Sequence, residues 1–156
     1  MMIHSRTVFI SAVITAFALV GFIGCSTAAP SGQKVEKAPV KSAITEITSN
    51  EQFKKILDNS PGDLLVFKLY ADWCGPCRML EPTMEKIARE HGGHTRFFKI
   101  NVDKVPEVAG AFGANSIPMV VYVKDKASVE GFVGVRPEQD YVQAIMKHAA
   151  EAGAKQ

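Results

Sequence analysis

The sequence predicts an α/β domain in which a central mixed sheet is flanked by helices, in the order βαβαβαββα. Three observations lead to this fold class. From Ala43 onward, segments with the alternation of strands and segments with helical spacing follow one another. The run Leu64–Tyr70 is apolar except at one position, as expected of a strand buried on both faces. Apolar residues after Cys77 then keep a helical spacing until Gly92 and Gly93 end it.

The first elements have clear boundaries in the sequence. A short strand is predicted at Ile44–Ile47. Ser49 can cap the helix that follows, because a serine with Gln52 three residues later forms a capping box. The dipeptide Pro61-Gly62 ends this helix before the central strand begins. The apolar residues that the helix turns inward are Phe53, Ile56 and Leu57.

The later elements continue the alternation without a repeat or a second domain. The helix after Cys77 contains Pro82, which is predicted to kink it. The remaining elements are the strand Arg96–Val102, a short helix from Pro106 to about Phe112, the hairpin strands Met119–Val123 and Val129–Val135, and the closing helix Pro137–Ala149.

Composition limits the classes of function that the chain can serve. It has 156 residues, 47% of them apolar, which is enough for the core of one domain, predicted at residues 43–152. Lys and Arg number 18 against 16 Asp and Glu, so no basic surface of the kind that binds nucleic acid is indicated. We expect a monomer that does not bind nucleic acid.

Two of the three cysteines, Cys74 and Cys77, are separated by two residues, which indicates redox chemistry. Such a pair can close a small disulfide ring if the backbone turns tightly, which Gly75 permits and Pro76 makes rigid. At the start of a helix, Cys74 faces backbone N–H groups and the positive end of the dipole, which favour its thiolate. We expect Cys74 to attack a substrate disulfide, and Cys77, one turn further in and more buried, to resolve the mixed disulfide.

The motif and its surroundings resemble the thioredoxin family over roughly residues 44–149. The segments that carry the resemblance are Trp73-Cys74-Gly75-Pro76-Cys77, Pro82, Phe98–Asp103, Ile117-Pro118 and Gly134. The resemblance implies the thioredoxin fold and thiol–disulfide exchange, with the disulfide itself as the redox group and no metal or other cofactor. It also implies a cis bond before Pro118, a substrate surface that includes Ile117 and Gly134, and a partly exposed Trp73 beside the reactive pair. From the residues alone, Trp73 could equally be core and Pro118 an ordinary turn proline.

Lys68 departs from the family, whose members usually carry a buried acid here that relays a proton to the second cysteine. Two roles are open for it. If buried near Cys77, Lys68 has a lowered pKa and either accepts the thiol proton as a neutral amine or favours the thiolate as a cation. Otherwise its stem packs and its ammonium group reaches water. Lys99 stands where the family places the partner of the missing acid, so we expect both lysines at one site. Tyr70 replaces a usual tryptophan and is expected to pack on the sheet.

The first 24 residues are predicted to be a secretory signal, because a short front with His4 and Arg6 precedes a long apolar run. The segment Phe22-Ile23-Gly24-Cys25 resembles the processing site of bacterial lipoproteins, with Phe22 in place of the usual leucine. The resemblance implies a lipid on the sulfur of Cys25. Residues 25–42 are small or polar and lack aromatic side chains, which predicts a flexible tether.

Two alternatives compete for this N-terminal region. The apolar run is close to the length of a transmembrane span, and Cys25 could be an incidental cysteine of a cleaved signal. The processing site and the tether favour the anchor. We therefore expect a domain that is lipid-anchored at the membrane, on the periplasmic side of a bacterial membrane. There it would act on protein disulfides and be re-reduced by an electron donor in the membrane.

Other classes of function fit the sequence less well than disulfide reduction. His91 and His94 with the two cysteines superficially resemble a zinc site. One intervening helix would separate the cysteines from the histidines by about 20 Å, however, and a zinc ion needs every ligand atom within about 2.3 Å of itself. A binding module of the same fold would not need both cysteines. An oxidant or isomerase of secreted proteins is the closer alternative. Gly75-Pro76 and the residue Ile117 resemble reducing thioredoxins, which favours a reductase.

Overall fold

The computed structural model describes residues 41–93 and 95–150. Within these residues the elements follow the predicted order βαβαβαββα, which is confirmed. They are β1 (Thr45–Ile47), α1 (Asn50–Asp58), β2 (Leu64–Tyr70), α2 (Gly75–His91), β3 (Thr95–Asn101), α3 (Pro106–Ala111), β4 (Met119–Lys124), β5 (Ala127–Val133) and α4 (Glu138–Ala150). The predicted signal segment, Cys25 and nearly all of the predicted tether lie outside the described residues. No helix in the described part is long and apolar enough to cross a bilayer.

The five strands form one mixed sheet in the order β1-β3-β2-β4-β5. β2 is central, because it pairs in parallel with β3 and antiparallel with β4. Its residues from Leu64 to Leu69 are all buried, as the nearly unbroken apolar run predicts. The carboxyl end of β2 leads within a few residues into α2, so the centre of the sheet positions the Cys74–Cys77 segment.

Successive residues of β2 point to opposite faces of the sheet and so contribute to two separate cores. Leu64 and Val66 pack in a cluster with residues of α2 and α4. Leu65, Phe67 and Leu69 pack on the other face with residues of α1 and α3. Lys68 points to the same face of the sheet as Leu64 and Val66, so it lies beneath α2.

The beginning of α1 shows how the sequence ends a loop. The Ser49 hydroxyl accepts a hydrogen bond from the Gln52 backbone N–H at 3.2 Å, as the capping box predicts. The Gln52 side-chain oxygen, however, accepts from the backbone N–H of Thr48 at 2.9 Å rather than from that of Ser49. The cap therefore reaches one residue further back than the motif alone indicates.

The last hairpin differs from its predicted boundaries. β5 spans Ala127–Val133 and not Val129–Val135, so the prediction was wrong by two residues at each end. Asp125 and Lys126 form the turn with φ values of 48° and 68°, in the left-handed region that glycine usually fills. Neither residue is glycine, so no Asn-Gly or Asp-Gly pair marks the two-residue turn, and the strand was expected to start later.

Candidate active site

Cys74 and Cys77 form a disulfide with their Cα atoms 5.3 Å apart. Cys74 is the N-cap of α2, and its Sγ accepts a hydrogen bond from the backbone N–H of Cys77 at 3.2 Å. The first turn of α2 contains no acidic residue, so the partial positive charge of the helix terminus acts on this sulfur unopposed. Both cysteines are buried, with 4% of Cys74 and 2% of Cys77 exposed, so the expected contrast in burial is small.

Gly75 does not provide the special turn that the sequence suggested. It is the first residue of α2 and is absent from the glycines with positive φ. A Cβ placed on it would meet only the tip of the Arg78 side chain, at 4.0 Å. The glycine is therefore not required by the backbone conformation, and the tight ring comes from the helical turn itself.

Other residues of the motif surround the disulfide. Trp73 is 69% exposed, and its indole N–H donates to the Asp103 carboxylate at 2.9 Å. The Ile117–Pro118 peptide bond is cis, and Ile117 packs against the cluster that contains both cysteines. Gly134, at φ 81°, donates its backbone N–H to the Pro118 carbonyl at 2.8 Å. The fold thus brings these residues to one end of the sheet.

Lys68 is 1% exposed, so its ammonium group does not reach water. It forms an ion pair with the carboxylate of Glu81. Lys99, its neighbour across the β2–β3 pairing, places Nζ 3.4 Å from the other oxygen of Glu81. The ring of Tyr70 lies against both lysines, with its centroid 5.4 Å from one ammonium nitrogen and 5.7 Å from the other. Two ammonium groups therefore share one carboxylate beside the disulfide.

The pKa values in this cluster follow from its burial. Burial first, and then the charge of Lys99, lower the pKa of Lys68 to about 8, while the Glu85 carboxylate raises it. Contact with Glu81 also favours the charged form of Lys68, which is therefore an ammonium ion at neutral pH. Burial, and next the Glu46 carboxylate, raise the pKa of Tyr70 to about 12, so its phenol stays neutral.

Glu81 is the residue that the sequence reasoning missed. It stands four residues after Cys77, so both side chains lie on the same face of α2. A buried lysine on the strand beneath that face needs a counter-charge, and the spacing from Cys77 was the available signal. The pairing depends on which face of β2 meets α2, which the sequence alone did not establish.

A cavity of about 330 Å³ opens beside the disulfide. Cys77, Glu81 and Lys99 all line it, together with Tyr70, Ala71, Asp72 and Arg78. Its volume is several times the roughly 30 Å³ that a water molecule occupies in the liquid. A larger cavity of about 480 Å³ lies at α1 and β3 and contains none of the predicted site residues.

Of the two histidines in the zinc alternative, His91 lies far from the disulfide and His94 lies outside the described residues. α2 runs without a break from Gly75 to His91, so Cys77 and His91 are separated by about 20 Å along one helix. In the described part of the chain, no group of three or more His, Cys, Asp or Glu side chains is placed to hold a metal ion.

Comparisons with known proteins agree with this geometry. The family profile described as Thioredoxin matches residues 44–147. The chain is 35% identical over 107 residues to Thioredoxin 1 of a Nostoc species, covering 69% of this chain and 98% of that protein. It is 40% identical over 85 residues to a thioredoxin of Listeria monocytogenes, covering 54% of this chain and 82% of that protein.

Solved structures give the same result. The X-ray structure of Fasciola hepatica thioredoxin matches with a TM-score of 0.64 at 30% identity, over 67% of this chain and 99% of the other. A thioredoxin of Nicotiana alata matches with a TM-score of 0.66 at 28% identity, over 71% of this chain and 96% of the other.

Proposed function

The chain belongs to the thioredoxin family, and from this premise we propose that it is a membrane-tethered reductase of protein disulfides working outside the cytoplasm. Its general activity is that of a thiol–disulfide oxidoreductase with Cys74 and Cys77 as the redox pair. Members of the family act on protein disulfides, carry electrons on their own disulfide and need no cofactor. The proposal adds the direction of electron flow and the location.

In the proposed reaction, the Cys74 thiolate attacks one sulfur of a substrate disulfide and displaces the other as a thiolate. Cys77 then attacks Cys74, which releases the second substrate sulfur and closes the Cys74–Cys77 disulfide. The substrate gains two electrons and the protein loses them. The assignment of Cys74 as the attacking sulfur rests on the hydrogen bond from the Cys77 N–H to Cys74 Sγ at the helix terminus, because this bond favours the Cys74 thiolate.

The substrate would lie over the exposed side of this site. Ile117, next to Pro118, packs against the cysteine cluster, and Gly134 is joined to Pro118 through its backbone. An extended substrate segment can pair its backbone with such a segment, as peptides do at open sheet edges. Exposed Trp73 supplies apolar contact next to the reacting sulfur.

The reduction potential of the Cys74–Cys77 couple tests the direction of electron flow. We expect a value near that of reducing thioredoxins, about −270 mV, and far from the value of strong oxidants, about −120 mV. Equilibration with defined ratios of reduced and oxidised dithiothreitol, followed by alkylation of free thiols, measures it. A potential near −120 mV would show that the protein is an oxidant.

The proposed location depends on Cys25 and on the signal that precedes it. A reductase in an oxidising compartment must be re-reduced, and an anchored domain would stay close to an electron donor in the membrane. Each methylene of a lipid chain that enters the bilayer contributes about 0.8 kcal/mol, so the several chains of a lipoprotein anchor hold a protein durably.

We expect Cys25→Ser to move the protein from the membrane fraction to the soluble extracytoplasmic fraction and to abolish labelling by a radioactive fatty acid. Cell fractionation and labelling of the full chain measure both. Cys77→Ser is the matched control, since it also removes a thiol but should leave fractionation and labelling unchanged. An unlabelled wild-type protein, with full membrane retention of Cys25→Ser, would contradict the lipid anchor.

A further inference from the structure

The buried cluster beneath the disulfide contains one carboxylate and two ammonium groups, and we propose that Glu81 accepts the proton of the Cys77 thiol during resolution. The proposal deepens the proposed function and rests on the thiol–disulfide exchange described there. Lys68 and Lys99 are positioning residues that hold the Glu81 side chain towards the cavity beside Cys77.

The first support is the shared cavity. Cys77 and Glu81 both line it and stand one helical turn apart on the same face of α2. Its volume of about 330 Å³ admits water, so a water molecule can connect the thiol with the carboxylate. Glu81 is 36% exposed, which lets its proton pass on to solvent or to the departing sulfur.

The second support is the fixed position of the Glu81 carboxylate. One of its oxygens is paired with Lys68 and the other lies 3.4 Å from the Lys99 ammonium nitrogen. The two cations stabilise the negative charge of this side chain, and the carboxylate is the form that can accept a proton. Lys68 is itself an ammonium ion and does not line the cavity, so it is not the acceptor.

Other charged or titratable groups surround the cluster and enter its pH dependence. On the strands these are Tyr70, which stays neutral, and Glu46, which accepts a hydrogen bond from the Tyr70 hydroxyl. On α2, Glu85 raises the pKa of Lys68. At the mouth of the cavity are Asp72 and Arg78.

The resolving step moves one proton to Glu81 and one electron pair to the substrate sulfur. The thiol of Cys77 gives its proton to Glu81, directly or through water, and the resulting thiolate attacks Cys74 Sγ of the mixed disulfide. The bond between Cys74 and the substrate sulfur breaks, and its electron pair leaves on that sulfur, which then takes up one proton. Glu81 returns to its carboxylate form, the Cys74–Cys77 disulfide is closed, and the substrate carries one more thiol.

The test separates the two steps of the reaction with a synthetic peptide that contains one disulfide. Reduced full-length protein is mixed with the peptide, quenched in acid at intervals, alkylated and analysed by mass spectrometry. For Glu81→Gln we expect the mixed disulfide to form within about twofold of the wild-type rate. Its decay should slow at least about tenfold at pH 6.5, and the difference should close by about pH 9, where the thiol ionises unaided.

Matched variants keep the result interpretable. Glu81→Asp should retain the fast decay at pH 6.5, because it keeps the carboxylate, and Glu90→Gln, an exposed change on the same helix, should behave as wild type. Lys68→Met should slow the decay less than Glu81→Gln does, because Glu81 loses one of its two positioning contacts and keeps Lys99. Lys68→Met with Glu81→Gln should lose the fast decay. This double variant removes any neutral lysine that could replace the acceptor.

Three outcomes would overturn the proposal. One is a decay in both Glu81→Gln and the double variant that matches wild type at every pH. Another is an equal slowing at all pH values, which indicates a structural effect. The last is a slower decay in Lys68→Met than in Glu81→Gln, which would make Lys68 the acceptor. If the wild type did not reduce the peptide disulfide at all, the proposed function would fail instead.

Discussion

Replacing Cys74 with serine is expected to lower the rate of protein-disulfide reduction by at least roughly 10³-fold. A serine hydroxyl at the N-cap of α2 can still accept the Cys77 N–H hydrogen bond, so the fold should be retained. It is not ionised near neutral pH and cannot form a disulfide with the substrate. Reduction of insulin by dithiothreitol, followed by turbidity, measures the loss.

The two remaining cysteines provide controls for this result. Cys77→Ser should form the mixed disulfide through Cys74 but fail to resolve it, so a stable adduct with substrate accumulates. Cys25→Ser removes the cysteine outside the motif and should keep the wild-type rate in solution. Wild-type activity in Cys74→Ser would show that reduction does not proceed through this sulfur.

Replacing Lys68 with methionine is expected to raise the free energy of unfolding by about 1–3 kcal/mol at pH 7. Lys68 is buried with only 1% of its surface exposed, and methionine fills similar space without a charge to desolvate. Glu81 is not left unpaired, because it is partly exposed and still has Lys99 at 3.4 Å. Urea unfolding of oxidised protein, with Lys68→Met compared to wild type, measures the gain.

The same pair of proteins should differ in the pH dependence of stability. In the folded protein the pKa of Lys68 is lowered to about 8 from an ordinary value of 10.5, so the unfolded chain binds more protons between these values. As the pH increases from about 8 to about 10.5, this difference raises the free energy of unfolding of the wild type. Lys68→Met lacks the titrating group and therefore shows no such rise from it. The advantage of Lys68→Met should therefore be largest below about pH 8 and small above about pH 10.5.

A matched substitution separates burial from charge. Lys86→Met removes an exposed lysine of α2 that is paired with Glu138, and it should leave the free energy of unfolding nearly unchanged. If Lys68→Met instead lowered the free energy of unfolding by more than about 1 kcal/mol, the ion pair with Glu81 would be a net source of stability.

The order of the elements could be predicted because local patterns decide most of them. The apolar run of β2 and the Ser49 cap each mark an element within a few residues. The β4–β5 turn could not be predicted, since Asp125 and Lys126 adopt left-handed backbone angles without glycine. Asp tolerates such angles better than most residues, but lysine at the second position is not typical of a two-residue hairpin turn, so the pairing of the two strands decides the turn.

The site was predictable to the extent that it lies within one motif. Cys74, Cys77 and Trp73 lie in one continuous run. That α2 covers the face of β2 on which Lys68 lies is known only from the structure. Glu81 was missed because its role depends on contacts among α2, β2 and β3. Gly75 shows the opposite error, since a glycine in a reactive motif suggested a backbone need that an ordinary helical turn removes.

Trp73 is the chain's only tryptophan, and it lies exposed beside the disulfide with its indole held by Asp103. A disulfide close to an excited indole accepts an electron from it and quenches its emission, whereas two thiols do so less. We therefore expect the intrinsic fluorescence of the protein to rise when the disulfide is reduced. Electron transfer to and from partners can be followed by intrinsic fluorescence without attaching a dye.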